Sequence, residues 1–301
     1  YTISNYYSEI QTEGKEKYIE FFKNVAENTR EMIVHWQRVG FVHGVMNTDN
    51  MSIHGITIDY GPYGWLEDYN PNWTPNTTDA EGKRYRFGNQ ANIALWNLYQ
   101  LANALYPLIE EAEPLETILN NFAKKYDEDF SEMMWKKLGI TSKKEENDQL
   151  IQQLLENLQQ TETDFTILFR NLNQIKKDDS VEDCVSKINF AFYKPEEVTG
   201  IILETWHFWF AQYLTILKEE NNSDLERKTI LNSVNPKYVL RNYMAQTAIE
   251  LAEKEDYSLI DELYTLLLNP YDEQPEFEKW FAKRPDWARQ KIGSSMLSCS
   301  S

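Results

Sequence analysis

The stretch HGVMNTDNMSIHGITIDYG, residues 43–61, sets a polar loop rich in carboxylate and amide side chains among short apolar runs. Phe41 and Val42 precede it, residues 51–53 and 56–58 follow, and Gly55 marks a turn between the last two. Short apolar runs bounded by turn residues read as small strands, so a β-hairpin is expected to frame the loop. Across that hairpin Asp49, Asn50 and Asp59 can bring three oxygen-bearing side chains near one point, as a hard divalent cation requires. Adjacent side chains of extended backbone point to opposite faces. Asp49 and Asn50 therefore share a site only if the chain turns sharply there, and Asn47 and Thr48 favour such a turn.

Outward from this stretch the pattern is helical. Residues 17–39 carry apolar side chains close to a helical period and end at Gly40, a C-cap residue. Residues 60–90 hold Gly, Pro, Asn and Thr without a sustained period, which predicts a long ordered loop over the site. Helices are then expected over 91–112, over 115–138 up to Gly139, and over 143–160 behind a capping box of Ser142 with Glu145. Further helices are expected over 164–175, over the aromatic run 196–218, over 236–254 from Pro236, and over 258–268. Residues 176–186 read as a charged connector, 219–226 as a polar break, and 271–301 as an irregular tail. The expected fold is mainly α with a small β-hairpin region, divided into 1–112, a helical extension over 113–270, and the tail.

Composition bounds the function. With 301 residues, 42% apolar and 14% aromatic, the chain can bury a sizeable core. Its 48 acidic and 30 basic residues give a formal charge of −18. That argues against nucleic acid as a partner, since phosphate-backbone affinity comes from Lys and Arg. No apolar run is long enough for a membrane span. The two cysteines, Cys184 and Cys299, fit a reducing, cytoplasmic (bacterial-type) compartment, with any targeting segment lying upstream of Tyr1.

Kinase-like phosphotransferases carry His-Gly-Asp or His-Arg-Asp, four residues, then Asn, followed by a hairpin ending in Asp-x-Gly. The Asp handles the attacking hydroxyl, while the Asn and the second Asp hold magnesium against the phosphates. Here His43-Gly44, Asn50 and Asp59-Tyr60-Gly61 match, but Val45 occupies the position of the base. A valine cannot accept a proton, so either the chain is a pseudokinase or another group has taken the role. Asp49 is the only carboxylate in the loop. The helix before and the loop and helix after follow the order of a kinase C-lobe.

The segments GFVHGVMNTDNMSIHGITIDYGPYGWLEDY (40–69), RYRFGNQANIALWNLYQLANAL (84–105) and SVNPKYVLRNYMAQTAIELAEK (233–254) resemble the selenoprotein O family, also called YdiU. The resemblance covers essentially the whole chain as that family's C-terminal portion. It implies a protein-kinase-like fold that transfers AMP from ATP to Ser, Thr or Tyr hydroxyls of proteins and releases pyrophosphate. By that likeness Asp49 accepts the hydroxyl proton, and Asn50 and Asp59 bind Mg2+, with Asp59 also near the nucleotide phosphates. Transfer of UMP with Mn2+ is a variation in the family and stays open here. A kinase-like phosphotransferase and a non-catalytic pseudokinase acting as a binding or redox module are the alternatives.

The resemblance also implies a glycine-rich segment, a phosphate-binding Lys with its Glu, and nucleotide-contacting Arg residues, all before Tyr1, so the N-lobe is expected to lie outside this chain. Family members often end with selenocysteine or cysteine third from the C-terminus, and Cys299 is the cysteine form. In bacterial members it pairs with a cysteine of the loop over the site, where Pro75 stands here, so Cys299 is a redox candidate toward target proteins instead. Cys184 is expected to be an ordinary semi-exposed thiol. His43 is expected to hold the loop rather than act as a base, and residues 206–210, Trp-His-Phe-Trp-Phe, to serve the core. Residues 1–301 alone are expected to carry no transferase activity, which incorporation of label from α-labelled ATP by the isolated chain checks.

Overall fold

The structure, a computed structural model, describes residues 1–142, 147–291, 293, 294 and 297. It is mainly helical, with one two-stranded antiparallel sheet among the described residues. After a short helix α1 (Thr2–Tyr6), the long α2 (Gly14–Val39) buries Phe22, Val25, Met32, Ile33 and Trp36. Gly40 stops it at φ +75°, where its N–H bonds the Trp36 carbonyl. A Cβ at Gly40 would meet the Phe165 ring at 3.0 Å, so this position needs glycine for packing as well as for conformation.

Strand β1 (Phe41–Val42) follows, paired with β2 (Gly64–Trp65) in the register Phe41 opposite Trp65. The expected hairpin over residues 51–58 is a correction, because that segment forms turns instead of strands. Two of its carbonyls are met by side chains from elsewhere in the chain. Tyr7 Oη donates to the Ile53 carbonyl at 2.5 Å, and the Ile58 carbonyl is met by His43 at 2.8 Å. Gly55, at φ +63°, lies so close to the Asn28 backbone that the segment rests on α2 rather than on a partner strand.

Helix α3 (Gln90–Ile109) and α4 (Glu113–Lys137) pack on α2 around Ile93, Leu98, Leu115, Leu119 and Phe122. The C-terminal half of α4 turns its Met133 and Met134 to a second core. That core is built from α5 (Asn147–Asn157), α6 (Phe165–Asn171), α7 (Val181–Ile188) and α8 (Gly200–Glu219). Trp206, Trp209 and Phe210 of α8 are fully buried there, as expected of a core, while Phe208 is exposed. The proposed capping box of Ser142 with Glu145 falls on Glu145, outside the described residues.

Three more boundaries differ from expectation. Residues 181–188 are helix α7, not a connector, because Ser180 and Asp183 form a capping box. The polar break expected over 219–226 ends early, because helix α9 (Asp224–Val234) starts within it at the Ser223 and Glu226 capping box. Helix α10 (Asn242–Ala252) begins six residues after Pro236, since the Lys237 and Tyr238 N–H groups both bond the Pro270 carbonyl. With α11 (Ser258–Leu267) and the tail, α10 closes a third, small core around Tyr238, Met244, Leu263 and Ala288.

A buried ion network joins these parts. Arg241 pairs bidentately with Asp164, at 2.8 and 2.9 Å, and also with Glu67. Asp164 further caps α6 by accepting the Ile167 N–H at 2.9 Å. All three side chains are more than nine-tenths buried. Burial disfavours the guanidinium charge, but Asp164 and Glu67 outweigh it and hold Arg241 protonated, while burial pushes the Glu67 carboxyl up. Replacing Arg241 by Leu leaves two buried carboxylates without their cation, and should cost about 3–5 kcal/mol in urea unfolding. Adding Glu67→Leu should recover part of that loss.

Candidate active site

The polypeptide turns sharply after β1. Asn47 N–H bonds the Val45 carbonyl at 2.9 Å, Asn50 N–H bonds the Asn47 carbonyl at 3.0 Å, and residues Thr48–Asn50 form one turn of 3-10 helix. On this turn Asp49 is exposed and Asn50, the next residue in the chain, is half-buried. Asn50 Nδ2 donates to the Val45 carbonyl at 2.8 Å, which commits the amide nitrogen and leaves Oδ1 as the group available to a ligand. The residue that replaces the expected base thus contributes its carbonyl as an anchor.

His43 ties the turn to the Asp-x-Gly segment. Its Nε2 donates to the Ile58 carbonyl, one residue before Asp59, and its Nδ1 accepts the Val45 N–H at 3.4 Å. These partners require the neutral ring with the proton on Nε2. Burial lowers the imidazole pKa, and the bond to the Ile58 carbonyl and then the Asp59 carboxylate offset that only in part. His43 therefore spans the two motifs as a neutral strut. Asp59 itself is exposed, at φ +51°, a left-handed backbone uncommon for a residue with a side chain.

Four side chains beyond the expected set hold the turn. Gln90 accepts the His43 N–H at 3.0 Å and donates to the Phe41 carbonyl at 2.9 Å. Asn97, seven residues on and so on the same face of α3, donates to the Met46 carbonyl at 3.1 Å. From the long loop, Asn76 donates to the Gly44 carbonyl at 3.0 Å, and Tyr85 Oη to Asn47 Oδ1 at 2.5 Å. Gly44 has φ +82°, and a Cβ there would overlap the Pro62 carbonyl oxygen. The sequence signal for Gln90 and Asn97 was two amides on the apolar face of an otherwise uncharged helix.

A cavity of about 320 Å³ lies beside the turn, lined by Val25, Thr29, Thr48, Met51, Asn97 and Leu101 among others. None of its lining residues is charged, and Asp49, Asn50 and Asp59 do not line it. Cys184 is fully buried on α7, and burial pushes its thiol up to about 12. That corrects the expected semi-exposed thiol: Val181, Cys184, Val185 and Ile188 form the packed face of the helix. Cys299 lies outside the described residues.

With the site in view, comparison with known proteins is specific. A family profile described as "Protein adenylyltransferase SelO" matches residues 1–268, and the chain belongs to that family. It is 65% identical over 301 residues to the protein nucleotidyltransferase YdiU of Flavobacterium johnsoniae, covering 100% of this chain and 58% of that protein. It is 48% identical to the protein of the same description from Aromatoleum aromaticum, covering 100% and 57%. It is 46% identical over 317 residues to that of Rhodopirellula baltica, covering 100% and 59%. The chain thus spans less than two thirds of the length of these relatives. No helix of the described residues is long and apolar enough to cross a membrane.

The turn depends on Gln90 through two buried backbone groups. Gln90→Leu should cost about 1–3 kcal/mol for each group left unpaired. Urea unfolding should show the loss, and amide hydrogen exchange should show faster opening at His43.

Proposed function

We propose that the protein transfers AMP from ATP to hydroxyl side chains of other proteins, with the segment between His43 and Gly61 as its catalytic loop. The observation that carries this reading is Val45 at the base position, with Asp49 and Asn50 following it on one turn of 3-10 helix, in a chain of the adenylyltransferase family. A phosphotransferase of this fold class needs a carboxylate at the Val45 position. Here the nearest carboxylate to that position along the loop is Asp49.

In the proposed reaction Asp49 accepts the proton of a Ser, Thr or Tyr hydroxyl. The hydroxyl oxygen attacks the α-phosphorus of ATP, the bond from that phosphorus to the bridging oxygen of the β-phosphate breaks, and pyrophosphate leaves. Asn50 Oδ1 and the Asp59 carboxylate are the oxygen donors suited to Mg2+, the first freed for that role by the bond from Nδ2 to Val45. When bound, the cation would offset charge on the transferring phosphoryl group. His43, neutral and enclosed, keeps the turn and Asp59 in register. Asp59 also stands nearest the phosphates in this reading. Protein substrates and ATP are the partners, and Mn2+ with UTP is the variant to compare.

The intact protein incubated with Mg2+ and ATP should label a protein substrate from the α position and not from the γ position. Asp49→Ala should lower kcat by about 100- to 10,000-fold, the range for loss of a general base, and Asp59→Ala should abolish metal-dependent turnover. Label from the γ position alone would replace this reading with a kinase.

A further inference from the structure

Lys83, Arg84 and Arg86 are the only lysine or arginine residues between Arg38 and Lys124, in a chain of formal charge −18. They sit on a loop that Asp79 ties into one shape. The Asp79 carboxylate accepts the N–H groups of Arg84 and Tyr85, both at 2.8 Å, and its carbonyl accepts that of Lys83 at 2.7 Å. Asn89 Nδ2 adds a bond to the Arg84 carbonyl at 2.7 Å. Lys83 and Arg84 are exposed, while Arg86 is half-buried and donates to the Lys83 carbonyl at 3.0 Å. Among the described residues no carboxylate, Glu81 of the same loop included, pairs with any of the three.

Beside this loop lies an uncharged aromatic face. Helix α3 has no charged residue along its 20 positions, yet Trp96, Tyr99 and Tyr106 are each close to half exposed. Spacings of three and seven place them on one side of the helix. The Arg84 guanidinium stands 4.7 Å over the Trp96 ring and 5.7 Å over the Tyr85 ring. Tyr85 in turn bonds Asn47, two residues before Asp49. Cations, aromatic face and catalytic turn are therefore one connected surface.

We infer that this surface docks the protein being modified, through a segment that carries acidic side chains beside the hydroxyl residue. The acidic side chains meet Lys83 and Arg84, and an apolar or aromatic neighbour lies against Trp96 and Tyr99. The inference rests on the nucleotidyltransferase reading of the site. Unneutralised cations next to exposed aromatic rings complement an acidic, partly apolar segment. The surface joins the turn through Asn47, on the side of the proposed proton acceptor, and not through His43 and Ile58, which lead to Asp59. This favours the protein substrate over the nucleotide phosphates as its occupant.

Two measurements on the intact protein test it. With Mg2+ and α-labelled ATP, matched peptides differing only in Glu or Lys around the hydroxyl residue should differ in KM by about tenfold in favour of Glu, as expected for rim charges. The double charge reversal Lys83→Glu with Arg84→Glu should invert that preference, leaving KM for ATP unchanged and circular dichroism native. Anisotropy of a fluorescein-labelled Glu peptide, read without ATP, should show binding that salt weakens and the reversal removes. Equal KM values for the two peptides, or a reversal that raises KM for ATP instead, would overturn the docking surface. Peptide binding lost on charge reversal, without transfer of label from ATP to any peptide, would uphold the surface and sink the nucleotidyltransferase reading.

Discussion

The pairing of Arg241 with Asp164 and Glu67 is the constraint on which the arrangement of the chain depends. Glu67 belongs to the segment that leaves β2, Asp164 caps α6, and Arg241 precedes α10. Backbone bonds run alongside the charges: Leu66 N–H to the Gly40 carbonyl at 2.8 Å, Phe165 N–H to the Glu67 carbonyl at 2.8 Å, and Tyr69 N–H to the Thr163 carbonyl at 3.0 Å. A buried charge trio of this kind adds little net stability over an apolar filling, but any arrangement that separates its members strands an ion in the core. It therefore acts mainly by excluding alternatives. The end of α2, the start of the long loop and the helical extension have one way to meet.

From that junction order passes to the candidate site through neutral hydrogen bonds. Gln90, Asn97, Asn76 and Tyr85 reach the turn from α3 and the long loop, and His43 carries the constraint on to Ile58. Amides and a neutral imidazole suit this position. They fix backbone carbonyls without adding charge beside Asp49 and Asp59.

The sequence made the long elements legible because they have strong periods and clear stops. Residues 17–39 ended at Gly40 as read, and the helix before Gly139 did likewise, since each glycine adopts the left-handed conformation that ends a helix. The turn at Asn47 and Thr48 was legible for a different local reason, the turn preference of Asn and Thr. What was missed is long-range. The hairpin over 51–58 failed because Tyr7, His43 and Asn28, far from it in sequence, supply contacts that a neighbouring strand would have made. Helices α7 and α9 were overlooked although both carry a capping-box serine and acid, because charged residues on their outer faces masked the buried stripe. Cys184 followed from that error. The ion network could not be read at all: Glu67, Asp164 and Arg241 are ordinary surface-type residues until tertiary contacts enclose them.

The Pro62 carbonyl pressed against Gly44 bears on how this loop can diverge. Of the two motif forms open to kinase-like proteins, His-Gly and His-Arg, only the first has room here, because any side chain at position 44 meets backbone that cannot rotate away. The change at Val45 is different in kind, since that side chain is half-buried and its carbonyl, not its side chain, anchors Asn50. A different side chain at position 45 keeps that carbonyl, and with it the bond that holds the Asn50 amide. Position 44 is locked until the segment around Pro62 is rebuilt with it. The two neighbouring residues sit under unlike selective regimes for a purely steric reason.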